Sequence, residues 1–315
     1  MGIFTNLKNI KNIFCNGSEI QTVYVNRQIV YQSDEIDSAY NYFVFQVSPT
    51  AGKTIELSDD RRGDTTSYDG LTDWGDGTID SKMTHTYDNN GTYIVKTKWM
   101  LKKTSSVLQT LIACNNVNKN ITDVTSLFSG CKYLRTVDMS RFKTNHITDM
   151  SFMFDGCTSL ESVNMKGWNT AYVTNMSRMF YNCHKLIPQV SHFNVSRVTN
   201  MQSMFTYCES IDGSQFKNWD VSSAINMALM FQGATITNCL DLYGWNVSSV
   251  DIFTSMFYGC KAKDGIDISY WNIKDTASVG NMFTNTVCST CIEIEHHVTH
   301  VGVPTADWQR MKAGK

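Results

Sequence analysis

The chain has 315 residues, of which 42% are hydrophobic and 18% charged. Its 27 basic and 29 acidic residues nearly cancel and form no basic run, which excludes the charge pattern of a nucleic-acid-binding protein. No window approaches the roughly 18 consecutive apolar residues of a membrane-spanning helix, so membrane insertion is not expected. A chain of this length usually contains two or three folded units.

The N-terminal sequence MGIFTNLKNIKNIF interrupts its apolar positions with Asn and Lys. It therefore lacks the continuous apolar segment of a secretory signal peptide. We expect a protein that is made in a cytoplasm and is not exported by the ordinary secretory route.

Residues 21–32 consist of two alternating runs joined at Asn26 and Arg27, a pattern that predicts a β-hairpin. Because an isolated hairpin is barely stable in water, we expect residues 1–36 to be an attachment and oligomerisation element. The candidate attachment residues are Val23, Tyr24, Val25, Ile29, Val30 and Tyr31. The hairpin resembles those that open many tail and appendage proteins of bacteriophages, which implies a place on a virion.

Residues 37–112 alternate apolar and polar positions in short runs separated by Gly, Asp and Asn, which predicts a β-sandwich. The motifs WGDGT at residues 74–78, HTY at 85–87 and GTYIVK at 91–96 resemble the PKD domain, which implies an immunoglobulin-like spacer. Asp76 between two glycines is also compatible with a cation or phosphate loop. A tight turn held by hydrogen bonds of the aspartate is the favoured interpretation.

A repeat of 25 or 26 residues follows. Its most regular column is a phenylalanine preceded by Met or Leu, and the seven members are Phe128, Phe154, Phe180, Phe205, Phe231, Phe257 and Phe283. A second aromatic column contains Phe142 and Phe193 together with Trp168, Trp219, Trp245 and Trp271. A unit of this length cannot bury its own aromatic residues, so successive units must stack on each other.

The spacing within each unit predicts its local structure. Residues 160–165 and 265–269 alternate as short strands do, and Val173–Phe180 has the apolar spacing of one or two helical turns. We therefore predict a mainly β chain with short helices, in which residues 113–292 form a leucine-rich-repeat-like solenoid of about seven coils. Residues 293–315, with Trp308 and Met311, are the predicted C-terminal cap.

The motif VTNMSxMFxxC, followed by LxxV(D/N)M and then W(N/D)(V/T), resembles the bacterial surface-protein repeat of the BspA-like leucine-rich-repeat family. The resemblance covers a little over half of the chain. Known members are surface adhesins or lipoproteins that bind host proteins or other cells, which implies a binding function.

Cysteines raise two questions. Five of the ten (Cys131, Cys157, Cys183, Cys208 and Cys260) share one column of the repeat, which favours a row of reduced, buried thiols. Near the C-terminus, the spacing of Cys288, Cys291, His296 and His300 is close to that of a compact zinc knuckle. A closing strand with its histidines facing solvent is the alternative, and we expect this strand and no metal or other cofactor.

No nucleophile elbow, phosphate-binding loop, metalloprotease motif or dinucleotide fingerprint occurs, so we do not expect an enzyme. We expect a homo-oligomeric fibre or decoration protein on a bacteriophage virion. Its N-terminus would contact other virion proteins, and its solenoid would bind a host surface protein or glycan. The alternative is a BspA-like adhesin on a bacterial cell surface.

Overall fold

The computed structural model describes residues 22–25, 28–32, 42–58, 71–97, 100–101, 108–115, 124–268 and 270–288. Within these residues the chain is mainly β, as predicted, and contains no α-helix. Accordingly, no helix in the described part has the length and apolar character needed to cross a membrane.

In the described part of the chain, ten strands precede the repeats. They are β1 (Thr22–Val25), β2 (Gln28–Gln32), β3 (Tyr42–Val47), β4 (Thr54–Ser58), β5 (Thr72–Asp73), β6 (Ile79–Asp80), β7 (Thr84–Thr86), β8 (Tyr93–Thr97), β9 (Met100–Leu101) and β10 (Leu108–Asn115). The repeats contain β11 (Thr136–Asp138), β12 (Ser162–Asn164), β13 (Thr235–Ile236), β14 (Leu240–Asp241), β15 (Lys261–Ala262), β16 (Ile266–Asp267), β17 (Val287–Cys288) and a 3-10 helix at Gly213–Phe216.

The first two strands form a sheet of their own. β1 and β2 pair antiparallel, with Thr22 opposite Gln32 and Val25 opposite Gln28. This is the strand pairing that the sequence predicts for a hairpin.

Strands β3 to β9 belong to two sheets that share one core. One sheet contains β3, β8, β5 and β6, and the other has the order β7-β4-β9. Phe45 from β3, Ile55 from β4 and Val95 from β8 are almost completely buried, together with Trp74 and Tyr87. The core therefore lies between strands of both sheets.

Strand β10 connects this part to the repeats. It pairs antiparallel with β3 on one side and parallel with β11 on the other, and β11 pairs parallel with β12. One seven-stranded sheet, in the order β12-β11-β10-β3-β8-β5-β6, therefore runs from the N-terminal strands into the first two repeats. The predicted domain boundary at residues 112/113 lies inside β10.

Each repeat, numbered here from the residue four positions before its phenylalanine, is hydrogen-bonded to the next. Repeats 1 to 7 begin at Val124, Met150, Met176, Met201, Met227, Phe253 and Val279. In each of repeats 1 to 6, four backbone N–H groups donate bonds of this kind. Three of them donate to carbonyls of the following repeat, and the first donates to the carbonyl of the residue just before that repeat. In repeat 2 the donors Met150, Phe152, Phe154 and Gly156 lie 2.8–2.9 Å from their acceptors. We call this set of bonds the amide ladder.

The helical turns predicted for segments such as Val173–Phe180 are wrong. In all seven repeats the residues two before and two after the phenylalanine have positive φ angles of 56–77°. An α-helix needs φ near −63° at every residue and an N–H bond to the carbonyl four residues earlier. Here those N–H groups belong to the amide ladder instead. The apolar spacing reflects a repeated turn, not a helix.

The predicted aromatic columns form the core of the repeats. All seven column phenylalanines are at most 4% exposed, and successive rings stack with centroids 5.2–5.8 Å apart. The four tryptophans are also buried, and each indole Nε1 donates to a carbonyl 29 residues earlier, at 3.0–3.1 Å. Each repeat thus completes the core of its neighbour.

Candidate binding face

The residues predicted for attachment and for metal binding give little local chemistry. The six attachment residues lie in β1 and β2, and their side chains are outside the described part of the structure. Cys288 is buried in β17, whereas Cys291, His296 and His300 lie outside the described residues. Among the residues that are described, no group of three or more His, Cys, Asp or Glu is placed to hold a metal ion.

The column cysteines are thiols held by the fold. The thiols of Cys157, Cys183 and Cys208 each donate to the carbonyl of a phenylalanine in an earlier repeat, at 3.0–3.1 Å. Burial raises the pKa of Cys208 to about 12 and that of Cys183 well above its usual value. Because the thiolate is the reactive form of cysteine, the raised pKa values keep the buried thiols of Cys183 and Cys208 protonated and unreactive at neutral pH.

Asp76 is used by the turn in which it lies. Its Oδ1 accepts from the backbone N–H of Thr78 at 3.0 Å, and its Oδ2 lies 2.7 Å from Nε2 of His85. Burial opposes ionisation, but the hydrogen bonds from Thr78 and His85 prevail and lower the pKa of Asp76. His85 stacks on Trp74, and the hydroxyl of Tyr87 donates to the Trp74 carbonyl. This arrangement supports the tight-turn interpretation.

The left-handed positions of the repeats carry an unexpected set of side chains. Glycine and asparagine tolerate this conformation best, whereas a bulky residue there is costly by roughly 1–2 kcal/mol. Most repeats have Gly, Asn or Ser at these positions, for example Gly130, Asn182 and Ser255. Bulky side chains occupy four of them in the consecutive repeats 2 to 5. These are Phe152, Arg178, Tyr207 and Leu229.

We group these four residues with the tyrosines one position after the phenylalanine in repeats 3 and 6, because all six side chains are partly exposed at or near the left-handed positions. We call this group of side chains the outer strip. Its members are Phe152, Arg178, Tyr181, Tyr207, Leu229 and Tyr258. Tyr207 is 40% exposed, and the others are only half-buried. All six members are thus at least partly accessible, and they lie in repeats 2 to 6.

Contacts between side chains order the part of the outer strip that lies in repeats 2 to 4. The Arg178 guanidinium lies 3.9 Å from the centre of the Tyr181 ring and 5.2 Å from that of Phe152, and its Nε donates to Asp155 at 3.0 Å. The rings of Tyr181 and Tyr207 meet edge to face with centroids 6.1 Å apart. A Cβ atom on Gly233 would be 2.5 Å from the Tyr207 ring, so glycine is needed beneath this ring.

The sequence contained a signal for this surface that our interpretation missed. Gly130, Gly156, Gly233 and Gly259 share one column with Asn182 and Asn285, which indicates a positive φ angle. Against that background, Tyr207 in the same column is a departure. The column two residues before the phenylalanine has no such glycine, so Phe152, Arg178 and Leu229 gave no comparable signal.

A family model described as "Mycoplasma protein of unknown function, DUF285" matches residues 95–215 and, a second time, residues 186–292. Together the two matches span more than half of the chain.

The chain belongs to the DUF285 family. The DUF285 matches contain all seven column phenylalanines and every residue of the outer strip, and Tyr207 lies in both matches. No curated protein and no solved structure has significant similarity to the chain.

Proposed function

We propose that this DUF285 protein is a non-enzymatic binding protein whose repeats form a solenoid that presents the outer strip to a partner. The main support is the presence of four bulky side chains at left-handed positions, where glycine would be less strained. The phenylalanine rings and the amide ladder already hold the repeats together, so these side chains are not needed for the core. A gain in binding explains why such residues are present.

The chemistry of the outer strip supports recognition of a macromolecule. Tyrosine and arginine are, with tryptophan, enriched among the residues that dominate binding energy at protein interfaces, and aromatic residues are enriched at interfaces in general. Stacking of Arg178 on Tyr181 and its ion pair with Asp155 restrict the side chain before a partner arrives. Such preorganisation lowers the entropy that is lost on binding.

The setting that we propose is a bacteriophage virion, with the protein as a fibre or decoration subunit. The β1–β2 pair, which forms a separate two-stranded sheet, would attach to other virion proteins or to further copies of the chain. The resemblances to PKD and BspA-like domains suit a spacer followed by an adhesive solenoid. The partner of the outer strip would be a protein or glycan on the host surface.

A bacterial cell-surface adhesin is the second candidate. The family description, which refers to proteins of Mycoplasma, favours it because it points to a cellular gene. Both candidates assign the same role to the outer strip and differ in what carries the protein. Immunogold labelling of intact cells and of particles released by lysis separates them, since label on particles supports the virion and label on cells supports the adhesin.

Binding itself is tested with the fluorescently labelled full chain on candidate host cells. The triple variant Arg178→Ala, Tyr207→Gly and Leu229→Gly should bind at least about tenfold more weakly, because hot-spot side chains contribute roughly 2 kcal/mol or more each. The matched control replaces Tyr133 and Tyr270, which are 49% and 68% exposed but lie outside the outer strip, with alanine. Equal binding of the triple variant and the native chain would refute the proposal.

A further inference from the structure

The spacing of side chains along the outer strip restricts what can lie on it. Equivalent phenylalanine rings in adjacent repeats are 5.2–5.8 Å apart. On the surface, Arg178 is 5.2 Å from the ring of Phe152 in the preceding repeat, and the Tyr181 and Tyr207 rings are 6.1 Å apart. A partner that runs along the strip therefore meets a new repeat every 5 to 6 Å.

This spacing distinguishes the two common forms of a peptide partner. An α-helix rises about 5.4 Å per turn, so the distance between its side chains at i, i+3/i+4 and i+7 matches the distance between successive repeats. On one face of an extended strand, side chains recur about every 6.6–6.8 Å. From repeat 2 to repeat 6 the mismatch between strand side chains and repeats would add up to about 5 Å, which is nearly the distance between two repeats. The side chains of a helix would remain opposite successive repeats.

We propose that the partner of the outer strip is an amphipathic α-helix that lies along the direction in which the repeats stack. This inference rests on the proposed binding function and specifies the partner class. The helix places one apolar side chain against each of repeats 2 to 6, where Phe152, Tyr181, Tyr207, Leu229 and Tyr258 provide contacts. Since each residue adds about 1.5 Å, about 15 residues span the strip.

Arg178 adds a polar requirement at one end of the helix. Its side chain is 38% exposed while its Nε donates to Asp155, and no other member of the outer strip is charged. A carboxylate on the helix, near the side chains that contact repeats 2 and 3, would complement the guanidinium. The helix thus combines an apolar face with an acidic residue towards the N-terminal repeats.

A random library of 16-residue peptides displayed on mRNA tests the inference with the full chain as bait. Peptides that bind the native chain are counter-selected against the Tyr207→Gly/Leu229→Gly variant, which should fold because glycine suits both left-handed positions. We expect strip-dependent peptides with apolar residues at i, i+3/i+4 and i+7, and an increase in helical circular dichroism on binding. Arg178→Glu should shift the preference from an acidic to a basic residue.

Strip-dependent peptides that alternate apolar and polar residues would overturn the helix and identify an extended partner. Enrichment of peptides that bind the variant equally well, or no enrichment at all, would also overturn it. The proposed function is judged separately by the cell-binding experiment. If the labelled chain needs the outer strip to bind cells but the peptides are not helical, the function stands and the helix fails.

Discussion

At the scale of single residues, the left-handed backbone positions show which side chains suit the fold and which we assign to binding. Gly259 has φ +65°, and a Cβ atom there would meet nothing within 4 Å. Leu229 has φ +63° and is half-buried on the outer strip. The same backbone conformation is thus occupied once by the residue that suits it and once by a residue that does not.

Replacing Leu229 with glycine should raise the free energy of unfolding by about 0.5–1 kcal/mol, because the steric strain of a left-handed leucine disappears. The reverse control, Gly259→Ala, should lower it by about 1 kcal/mol through the backbone alone. Urea unfolding of the two variants and the native chain measures both effects. A destabilised Leu229→Gly chain would mean that the leucine is held for packing.

Phe205 represents the opposite kind of residue, since it is completely buried and its ring stacks on those of Phe180 and Phe231. Phe205→Ala should cost about 3–5 kcal/mol, because it leaves a cavity in the middle of the stack. Tyr133→Ala, on the exposed surface, should change stability by less than about 0.5 kcal/mol. Thermal unfolding compares the two, and an unchanged midpoint for Phe205→Ala would place its ring outside the core.

The buried thiols can be counted by mass spectrometry after alkylation. With a pKa of about 12, only roughly one Cys208 thiol in ten thousand is ionised at pH 8. In the native chain we therefore expect Cys239, which is only half-buried, to react before Cys183, Cys208 and Cys260. In denaturant all of these should react without a reductant. A need for reductant would instead reveal disulfides.

At the scale of elements, the turn that contains Asp76 links β5 to β6 and makes local stability depend on pH. The folded-state pKa of Asp76 is below its usual 3.8. Its stabilisation is therefore complete above that value and is lost as the pH falls through the folded-state pKa. Asp76→Asn should melt below the native chain at pH 7, and the difference should shrink as the pH falls below 3.8. A difference that persists unchanged at pH 3 would mean that the carboxylate charge is not involved.

Some of these elements could be predicted and others could not. The period, the two aromatic columns and the cysteine column follow from burial, which leaves a regular pattern in sequence. The left-handed turns could not be predicted in this way, because the apolar spacing of Val173–Phe180 suits both a helix and a turn with a left-handed residue at Arg178. The double pairing of β10 joins strands far apart in sequence. The outer strip could not be predicted as a surface because its side chains do not recur at one position of the repeat.

At the scale of the whole molecule, the β1–β2 pair should be separable from the rest. Within the described residues its two strands pair only with each other, whereas β10 belongs to the sheet that enters the repeats. Deleting residues 1–36 should leave the melting temperature of the repeats unchanged but release the protein from particles or from its oligomer. Co-sedimentation with particles and light scattering measure these outcomes. If the truncated chain still co-sediments with particles and a chain without the repeats does not, then the repeats, and not residues 1–36, attach the protein to particles.

The amide ladder also bears on how such a gene changes in length. Repeats 2 to 6 each accept bonds from the repeat before and donate bonds to the repeat after, so duplication or loss of one of these complete repeats leaves all donors matched. Repeat 3, which has 25 residues, is one residue short between Cys183 and Phe193, outside the ladder segment. Unequal recombination can therefore lengthen or shorten the chain in whole repeats, while single-residue insertions are tolerated only in the loops between ladder segments.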